Sequence, residues 1–494
     1  MTAPVVETTR GRVLGVSLGD LHRFLGIPYA AAPVGDLRFA APEPHPRWEG
    51  VRDAATSGPN APQIIRPFEG LDIAPLVGEG WRQGDAYLTV NIWTPASQAG
   101  PLPVMVFIHG GGYVGGCNDT PVQDGSAFAR SGVVCMMINY RMGIDGFLPI
   151  EGAPTNLGLR DMIAALEWLR DNAKAFGGDP ANVTVFGESA GAMAIANLVS
   201  SPLAQGLMKR AIIQSGHGEM VRSIPVMQRV TRRLAKLLRI APNVAGFRSA
   251  PVQAGLEAVE KIQAPTAGLD LREPDGHEAA FGISRFLPVY GDDVLPVRPH
   301  EALAGGMGAD IEVLIGSNAE EMNLYFVPTG VKAKFNRLLA WLFLRGSMPR
   351  SWAVLKAYGM GKTGESAGSV MTRAMSDLVF RLPARRFAAA HQGRTHVYEF
   401  EWGSPAFGGQ LGACHVLEIP FVFNTLACCS GPQGFVGETP PQALADRIHT
   451  LWVDFARDGV LPWPEYRDSS SPVYRLAAGV AAPEPVYPAA AFWP

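Results

Sequence analysis

Residues 182–197 read NVTVFGESAGAMAIAN. The apolar run VTVF leads into the pattern G-x-S-x-G, in which Ser189 lies between Gly187 and Gly191. Small and aliphatic residues follow without interruption. A buried strand, a sharp turn and a buried helix predict a nucleophile elbow, in which a strained backbone presents the serine hydroxyl at the end of a sheet. Side chains at the two glycine positions would collide with neighbouring chain, so the pattern requires glycine there.

A serine hydroxyl is a weak nucleophile at neutral pH, so it needs a base, an acid that orients the base, and donors for an oxyanion. The free N–H groups of the following helix point to where negative charge develops, and Ala190 N–H is the nearest. The run VMVFI is followed by HGGGY at residues 109–113, whose glycine N–H groups could approach a substrate closely. Because G-x-S-x-G also occurs by chance, a serine in an ordinary tight turn is the alternative. A phosphate-binding loop is disfavoured, since no G-K-[ST] follows.

Several short apolar runs lack polar alternation, which predicts strands covered on both faces of a mostly parallel sheet. These runs are Val104 to Ile108, Val133 to Ile138, Val183 to Phe186, Ala211 to Ile213 and Val313 to Ile315. Between the second and third, NLGLRDMIAALEWLRDNAKAFGG has helical periodicity, with Asn156 as the predicted N-cap and Gly177 as the predicted end. Alternating strands and helices predict an α/β layer architecture.

The 494 residues contain no repeat and no composition typical of a linker, because 56 glycines and 41 prolines are scattered along the chain. We therefore expect one catalytic domain over residues 1–494. Residues from about 218 to 310 and from about 326 to 390 are predicted to be pocket-shaping insertions with amphipathic helices. The apolar run LLAWLFL at 338–344 is too short to span a bilayer, and we expect a packing helix or a lid over an apolar site.

Composition excludes several classes of function. The formal net charge of −3 and the absence of a lysine or arginine block argue against nucleic-acid binding. The N-terminus lacks a basic region followed by a long apolar region, which predicts a cytoplasmic protein. Five cysteines, two of them adjacent, do not form a disulfide framework. The ten histidines are dispersed and no C-x-x-C occurs, so we expect no metal and no cofactor.

Over nearly its full length the chain resembles the type-B carboxylesterases, which include the cholinesterases and bacterial para-nitrobenzyl esterases. The similar stretches are FLGIPYAAAPVGDLRF (24–39), YLTVNIWTP (87–95), VFIHGGGY (106–113), INYRMGIDGF (138–147), NLGLRDMIAALEWLRDNAKAFGGDPANVTVFGESAGA (156–192), AIIQSG (211–216), IGSNAEE (315–321) and GACHVLEIPFVF (412–423). The resemblance implies an α/β-hydrolase fold, with a large, mostly parallel twisted sheet flanked by helices. It also implies ester hydrolysis through an acyl-enzyme, on a small-molecule ester, by a monomer or homodimer.

Carried over by position, the resemblance assigns the nucleophile to Ser189, the acid to Glu321 and the base to His415. The order serine, acid, histidine that is expected from the elbow is consistent with this assignment. From the residues alone, the histidines at 391, 396, 415 and 449 all remain candidate bases. Glu320 is the rival acid, and Met322 stands where the family usually has glycine.

The resemblance also assigns six further residues. The oxyanion hole is expected at Gly111, Gly112 and Ala190, and a buried supporting network at Glu188, Ser215 and Glu418. A purely structural hydrogen-bonding role is an equal interpretation for the supporting three, although a carboxylate at 188 could also raise the pKa of the base.

The predicted function is therefore hydrolysis of fairly apolar, uncharged carboxylic esters. Amides or carbamates are the alternative substrates, since the same triad can cleave them. A catalytically silent, cholinesterase-like binding protein is the less favoured alternative, because the serine, the acid, the histidine and the glycine loop are all present.

Overall fold

A large mixed β-sheet runs through the computed structural model, which describes residues 3–264, 268–468 and 470–492. Within these residues the strands are β1 (Val5–Thr8), β2 (Gly11–Leu14), β3 (Val16–Ser17), β4 (Leu21–Pro28), β5 (Val51–Asp53), β6 (Thr89–Pro95), β7 (Leu102–Ile108), β8 (Val134–Ile138), β9 (Gly178–Glu188), β10 (Arg210–Gln214), β11 (Arg222–Ser223), β12 (Val289–Tyr290), β13 (Glu312–Asn318), β14 (Thr395–Phe400), β15 (Val473–Arg475) and β16 (Val480–Ala482).

The α-helices of the same ranges lie mostly between these strands. They are α1 (Ala74–Val77), α2 (Ser126–Arg130), α3 (Gly143–Phe147), α4 (Leu157–Asn172), α5 (Ala190–Val199), α6 (Ile224–Leu238), α7 (Val244–Ser249), α8 (Val252–Gln263), α9 (Pro299–Ala304), α10 (Asn323–Phe326), α11 (Val331–Lys334), α12 (Arg337–Arg345), α13 (Ser351–Ala357), α14 (Ala367–Ser376), α15 (Leu382–Ala390), α16 (Ile419–Val422) and α17 (Gln442–Asp458). A π-helical turn, Asp377–Arg381, joins α14 to α15.

The sheet has the strand order β16-β15-β14-β13-β10-β9-β7-β8-β6-β4-β3 among the described residues. The strands from β8 to β15 in this order are parallel, and antiparallel pairs occur only towards the two edges. All five predicted strands are confirmed, as parts of β7, β8, β9, β10 and β13. The predicted α/β architecture, with a mostly parallel central sheet, is also confirmed.

Strand β7 shows why its sequence lacks polar alternation. Val104, Val106 and Ile108 pack into one apolar core together with residues of α4 and α5. Met105 and Phe107 point to the opposite face and pack into a second core that includes residues of α17. Since successive side chains of a strand point to opposite faces, helices on both faces require apolar residues at every position.

Helix α4 begins where the periodicity predicts, but the side chain of its N-cap residue does not hydrogen-bond to the first turn. Asn156 is the residue before the first turn, and it has the left-handed backbone φ of 55° with no capping hydrogen bond from its side chain. Its amide instead donates to Val289 O at 2.7 Å and to Asp292 Oδ2 at 2.8 Å. The predicted N-cap position is confirmed, but the side chain makes no capping hydrogen bond, because it connects α4 to β12 instead. The predicted end is confirmed, since Gly177 has a φ of 82° after a final 3₁₀ turn.

The two predicted insertions contain helices. The first holds α6 to α9 with the short parallel pair β11 and β12, and the second holds α11 to α15. Helix α6 confirms the helix predicted for VMQRVTRRLAKLLRI. No helix in the described part of the chain is long and apolar enough to cross a bilayer. Treating the whole chain as one catalytic domain with two insertions remains an interpretation.

The buried pair Arg141 and Asp161 joins the segment after β8 to α4. Asp161 accepts hydrogen bonds from the backbone N–H of Arg141 at 2.9 Å and from its guanidinium at 2.7 and 2.8 Å. The two side chains are 1% and 0% exposed. We expect Asp161→Asn to lower the free energy of unfolding by about 3–5 kcal/mol, because it leaves a buried guanidinium without its countercharge. Urea denaturation followed by tryptophan fluorescence measures the change.

The exposed pair Arg457 and Asp454, at 2.9 Å with half-exposed side chains, is the matched control. Asp454→Asn should change stability little, because solvent screens such pairs. Equal effects of the two substitutions would contradict the role given to the buried pair.

Candidate active site

Ser189 occupies the turn between β9, which ends at Glu188, and α5, which begins at Ala190. Its φ of 54° and ψ of −123° lie outside the regions that ordinary residues favour. A Cβ added at Gly187 would lie 2.5 Å from Ile108 O, and one at Gly191 would lie 2.0 Å from the same oxygen. The predicted collision is confirmed, and its partner is the carbonyl at the end of β7.

His415 is brought to this serine by the loop that follows β14. Its Nε2 lies 2.8 Å from Ser189 Oγ, and its Nδ1 lies 2.6 Å from Glu321 Oε2. All three side chains are at least nine-tenths buried. A neutral imidazole that donates from Nδ1 to the carboxylate leaves Nε2 free to accept the hydroxyl proton. The geometry is that of a nucleophile, a base and an orienting acid.

The other candidate bases lie elsewhere. His391 hydrogen-bonds to Thr395 Oγ1 and to Gly308 O. His449 hydrogen-bonds to Ser131 Oγ and to Val422 O. His396 lies in β14 and contacts the rings of Phe455 and Trp463, and neither ring nitrogen has a hydrogen-bond partner among the residues that the structure describes. None of the three contacts the serine, so of the four histidines only residue 415 has the geometry of the base.

Glu321 and Glu320 have clearly different surroundings. Glu321 Oε1 accepts hydrogen bonds from Ser215 Oγ and from the N–H of Asn318, both at 2.7 Å, while Oε2 faces the imidazole. Glu320 Oε2 accepts from the N–H of Ala413 at 3.0 Å and does not reach the histidine ring. Glu320 therefore contacts the backbone of the loop that contains His415, and Glu321 contacts the imidazole itself.

Met322, which replaces the usual glycine of the family, does not disturb this turn. Its φ of −73° is ordinary for a non-glycine residue, and its side chain is buried. Its N–H donates to Ser376 Oγ at 3.1 Å. Because no left-handed backbone is needed here, the turn accepts a large side chain.

Glu418 lies behind the triad in a closed network of amides. Gln214 Nε2 donates to Glu418 Oε1 at 3.1 Å, and Asn318 Nδ2 donates to Oε2 at 2.6 Å. Asn318 Nδ2 also donates to Cys414 O at 2.7 Å, one residue before the histidine. Burial and the negative charge of Glu321 raise the pKa of Glu418. Asn318 was not identified from the sequence, although it lies between the IGS strand and the two glutamates.

Glu188, the residue before the serine, lies on the other side of the imidazole. Its Oε1 is 3.1 Å from His415 Nε2 but accepts no hydrogen bond within the described part of the chain. Burial, followed by the charges of Glu418 and Glu321, raises the pKa of Glu188 well above its usual value. These effects favour a neutral carboxyl next to the serine.

Replacing Glu188 by glutamine should leave the acid limb of the kcat/KM pH profile where it is, because glutamine resembles the neutral carboxyl. Removing a full negative charge from beside the imidazole would instead move that limb to lower pH by about one to three units. A pH profile of p-nitrophenyl butyrate hydrolysis distinguishes the two results, and such a displacement would refute a neutral Glu188.

The same substitution should alter the pH dependence of stability. Since folding raises the pKa of Glu188, the folded state binds this proton more tightly than the unfolded chain does. Its contribution to stability is complete below about pH 4 and is lost as the pH rises through the folded-state pKa. The glutamine variant should therefore lose less stability than the wild type as the pH increases over this range.

The predicted oxyanion donors line the same cavity as the serine. They are Gly111, Gly112 and Ala190. Gly111 and Gly112 have φ values of 102° and 61°, and a Cβ on Gly111 would lie 2.1 Å from Gly115 O. None of the three N–H groups donates to a protein acceptor among the described residues. Three unpartnered N–H groups beside a nucleophile can bind a developing negative charge.

The cavity has a volume of about 290 Å³ and a mainly apolar wall. Among its lining residues are Phe68, Leu76, Phe107, Met193, Leu287 and Phe435. Phe380 and Tyr325 pack on the ring of His415, with ring centroids 4.7 and 5.6 Å away. These two aromatic residues were not identified from the sequence, because neither lies in a motif. Phe380 belongs to the π-helical turn and Tyr325 to α10, so both insertion and core contribute to the wall.

The α/β hydrolases are defined by a mostly parallel sheet that helices cover on both faces. In them a serine turn lies between a central strand and the next helix, as it does here. A model of the carboxylesterase family matches residues 2–485, and the chain belongs to this family. It is 35% identical to the para-nitrobenzyl esterase of Bacillus subtilis over 95% of this chain and 94% of that protein. It is also 35% identical to a phenmedipham hydrolase of Pseudarthrobacter oxydans, over 94% of both chains.

Solved structures of the same family are similar over their full length. A carboxylesterase of Geobacillus stearothermophilus superposes with a TM-score of 0.83 at 33% identity, over 99% of this chain and 100% of that one. A para-nitrobenzyl esterase superposes with a TM-score of 0.81 at 30% identity, over 100% of both. The resemblance and the fold predicted from it are confirmed, and the protein is a carboxylesterase.

Proposed function

We propose that the protein hydrolyses fairly apolar, uncharged carboxylic esters with a triad of Ser189, His415 and Glu321. The observation that carries the proposal is the continuous pair of contacts from Ser189 Oγ to His415 Nε2 at 2.8 Å and from His415 Nδ1 to Glu321 Oε2 at 2.6 Å. Residues of the triad line an apolar cavity, which suits an uncharged acyl or alcohol group.

In the first half of the reaction, His415 takes the hydroxyl proton while Ser189 Oγ attacks the ester carbonyl carbon. The resulting oxyanion accepts hydrogen bonds from the N–H groups of Gly111, Gly112 and Ala190. Each donor of this kind contributes about 10²- to 10³-fold in rate. The imidazolium then gives its proton to the departing alcohol oxygen, and the acyl group remains on the serine.

In the second half, water takes the place of the alcohol. His415 removes a proton from the water as it attacks the acyl carbon, and the same N–H groups stabilise the second oxyanion. The proton returns to Ser189 Oγ as the acid product leaves. Glu321 stays ionised throughout and holds the imidazole in the tautomer with a proton on Nδ1.

Titration with diethyl p-nitrophenyl phosphate tests the nucleophile directly. We expect stoichiometric release of p-nitrophenolate, loss of activity in parallel, and a diethylphosphoryl group on the peptide that contains Ser189. Modification of another residue, or full activity after modification, would refute the assignment.

A series of p-nitrophenyl esters with acyl chains from acetate to laurate then measures the chain length that the cavity accepts.

Matched ester, amide and carbamate analogues separate the proposed function from its alternative, hydrolysis of amides or carbamates. A higher kcat/KM for the carbamate or the amide than for the ester would assign the natural substrate to that class. Complete inactivity on all three would favour a binding protein.

Several further properties remain predictions from the sequence. They are the cytoplasmic location, the monomeric or homodimeric state, and the absence of a cofactor, a metal or a nucleic-acid partner.

A further inference from the structure

Helix α12, with the sequence RLLAWLFLR, is apolar on the side that faces solvent. Only Ala340 and Leu344 are buried. Four apolar side chains of this helix are exposed: Leu338 (60%), Leu339 (46%), Leu342 (45%) and Phe343 (39%). A surface helix normally has polar residues opposite its buried stripe. The sequence predicted a packing helix or a lid over an apolar site. Ala340 and Leu344 do pack into the core, but four further apolar side chains of the helix are in contact with solvent.

Helix α13 extends this surface through an indole ring. Trp352 is 38% exposed, and a shallow hollow lies between it and α12, lined by Arg337, Leu338 and Trp341. The guanidinium of Arg345 lies 4.5 Å from the ring centroid of Trp341. The ammonium of Lys356 lies 5.9 Å from that of Trp352. We call the side chains at positions 338, 339, 341, 342, 343 and 352 the α12–α13 face; all of them are exposed except Trp341, which is partly buried.

The chain segment that contains this face has only basic residues among its charged ones. Residues 322–364 contain no Asp or Glu, although the whole chain has a net charge of −3. The basic residues of this stretch are Lys332, Lys334, Arg337, Arg345, Arg350, Lys356 and Lys362. None of them forms a salt bridge with a described residue, whereas Glu365, just beyond the stretch, pairs with Arg373 at 2.7 Å. Among the described residues, no carboxylate is therefore paired directly with the cations of this segment.

An anionic lipid surface is complementary to this face. The face offers exposed aliphatic and indole side chains, and cations without a salt-bridge partner in the described part of the chain lie around them. The apolar groups enter the boundary between head groups and acyl chains, and the cations contact the phosphates. A second copy of this chain fits less well, because a twofold contact places like patches together and would bring cations next to cations. We propose that the α12–α13 face binds the surface of an anionic lipid bilayer without crossing it.

The face is connected to the wall of the catalytic cavity by one aromatic cluster. Phe326 of α10 contacts Phe335 and Phe343, with ring centroids 5.3 and 6.2 Å apart. Residues 324 and 325 of the same short helix line the cavity. A bilayer bound at this face would therefore lie against the aromatic cluster that packs on α10, the helix that contributes to the cavity wall. The proposal concerns binding only and is independent of the proposed ester hydrolysis.

Co-sedimentation with sucrose-loaded vesicles of ether-linked phospholipids tests the proposal, because an esterase cannot hydrolyse these lipids. One vesicle preparation contains phosphatidylcholine alone, and the other contains phosphatidylcholine with phosphatidylglycerol. We expect the wild type to bind the anionic vesicles at low salt, to bind the neutral ones at least about tenfold more weakly, and to be released by added salt.

Two substitution pairs with the same charge change separate the face from a general charge effect. Leu338→Glu/Leu342→Glu should weaken binding at least about tenfold, because it removes apolar area and adds negative charge. Val460→Glu/Val486→Glu alters two other exposed positions, 61% and 92% exposed, and should retain most of the binding. Lys334→Gln/Lys356→Gln should weaken binding about 25-fold and reduce its salt dependence. Circular dichroism confirms that each variant is folded.

Three results would overturn the proposal. The first is no sedimentation with either vesicle. The second is equal binding by the two glutamate variants. The third is a dimer of the wild type in sedimentation velocity that the Leu338→Glu/Leu342→Glu variant loses, with no vesicle binding, which would assign the face to a second copy of the chain.

Discussion

Ser189→Ala is expected to lower kcat for p-nitrophenyl butyrate by about 10⁶-fold. The substitution removes the atom that would form the acyl bond, while the base, the acid and the N–H groups remain. Residual hydrolysis should come only from water activated in the oxyanion site. The free energy of unfolding should change little, because alanine tolerates the same backbone as serine and, among the described residues, the lost hydroxyl hydrogen-bonds only to the imidazole.

Ser317→Ala is the matched control for this substitution. Ser317 is a buried serine of β13 whose hydroxyl has no hydrogen-bond partner among the described residues. Its removal should leave both kcat and stability nearly unchanged. Retained activity in Ser189→Ala, or an equal loss in both variants, would contradict the nucleophile assignment.

Glu321→Gln should lower kcat by about 10⁴-fold, because an amide cannot stabilise the imidazolium and favours the wrong tautomer of the histidine. The amide oxygen can still accept from Ser215 or Asn318, so the loop should keep its position. We expect kcat to fall far more than KM changes, since the carboxylate acts on the base and does not contact the substrate. Steady-state kinetics on one ester measures both parameters.

Glu320→Gln is the matched control, one residue away. The glutamine oxygen can accept the hydrogen bond from Ala413 that Glu320 accepts now, so activity should remain within a few-fold of the wild type. The opposite pattern, with Glu320→Gln inactive and Glu321→Gln active, would assign the acid to residue 320.

The sheet could be predicted from the sequence because its strands are buried on both faces. Such strands read as short apolar runs, and each of the five predicted runs lies in a parallel strand of the sheet. The other strands of the sheet were not predicted. Strands β6 and β14 are buried but contain polar residues such as Asn91 and Glu399, and β3 and β16 are only two and three residues long with partly exposed residues. A short, half-exposed strand has no periodicity that distinguishes it from a loop.

Two features could not be predicted from the sequence, because contacts with distant parts of the chain determine them. Asn156 precedes a helix, as an N-cap should, but its side chain hydrogen-bonds to a segment 133 residues further along the sequence. The cations of residues 322–364 are spread singly along the sequence, so no basic block is visible. Only the fold places Arg345 next to the indole of Trp341 and Lys356 next to that of Trp352.

By itself the sequence determined the serine turn, the glycine loop and the alternation of buried strands with helices, because these depend on neighbouring residues. Only the folded chain shows which of the four histidines lies beside the serine and which of the two adjacent glutamates lies beside that histidine. Ser189 and His415 are 226 positions apart, and His415 and Glu321 are 94 apart. Contacts across such separations depend on the order of the parallel strands in the sheet. Local periodicity does not predict that order.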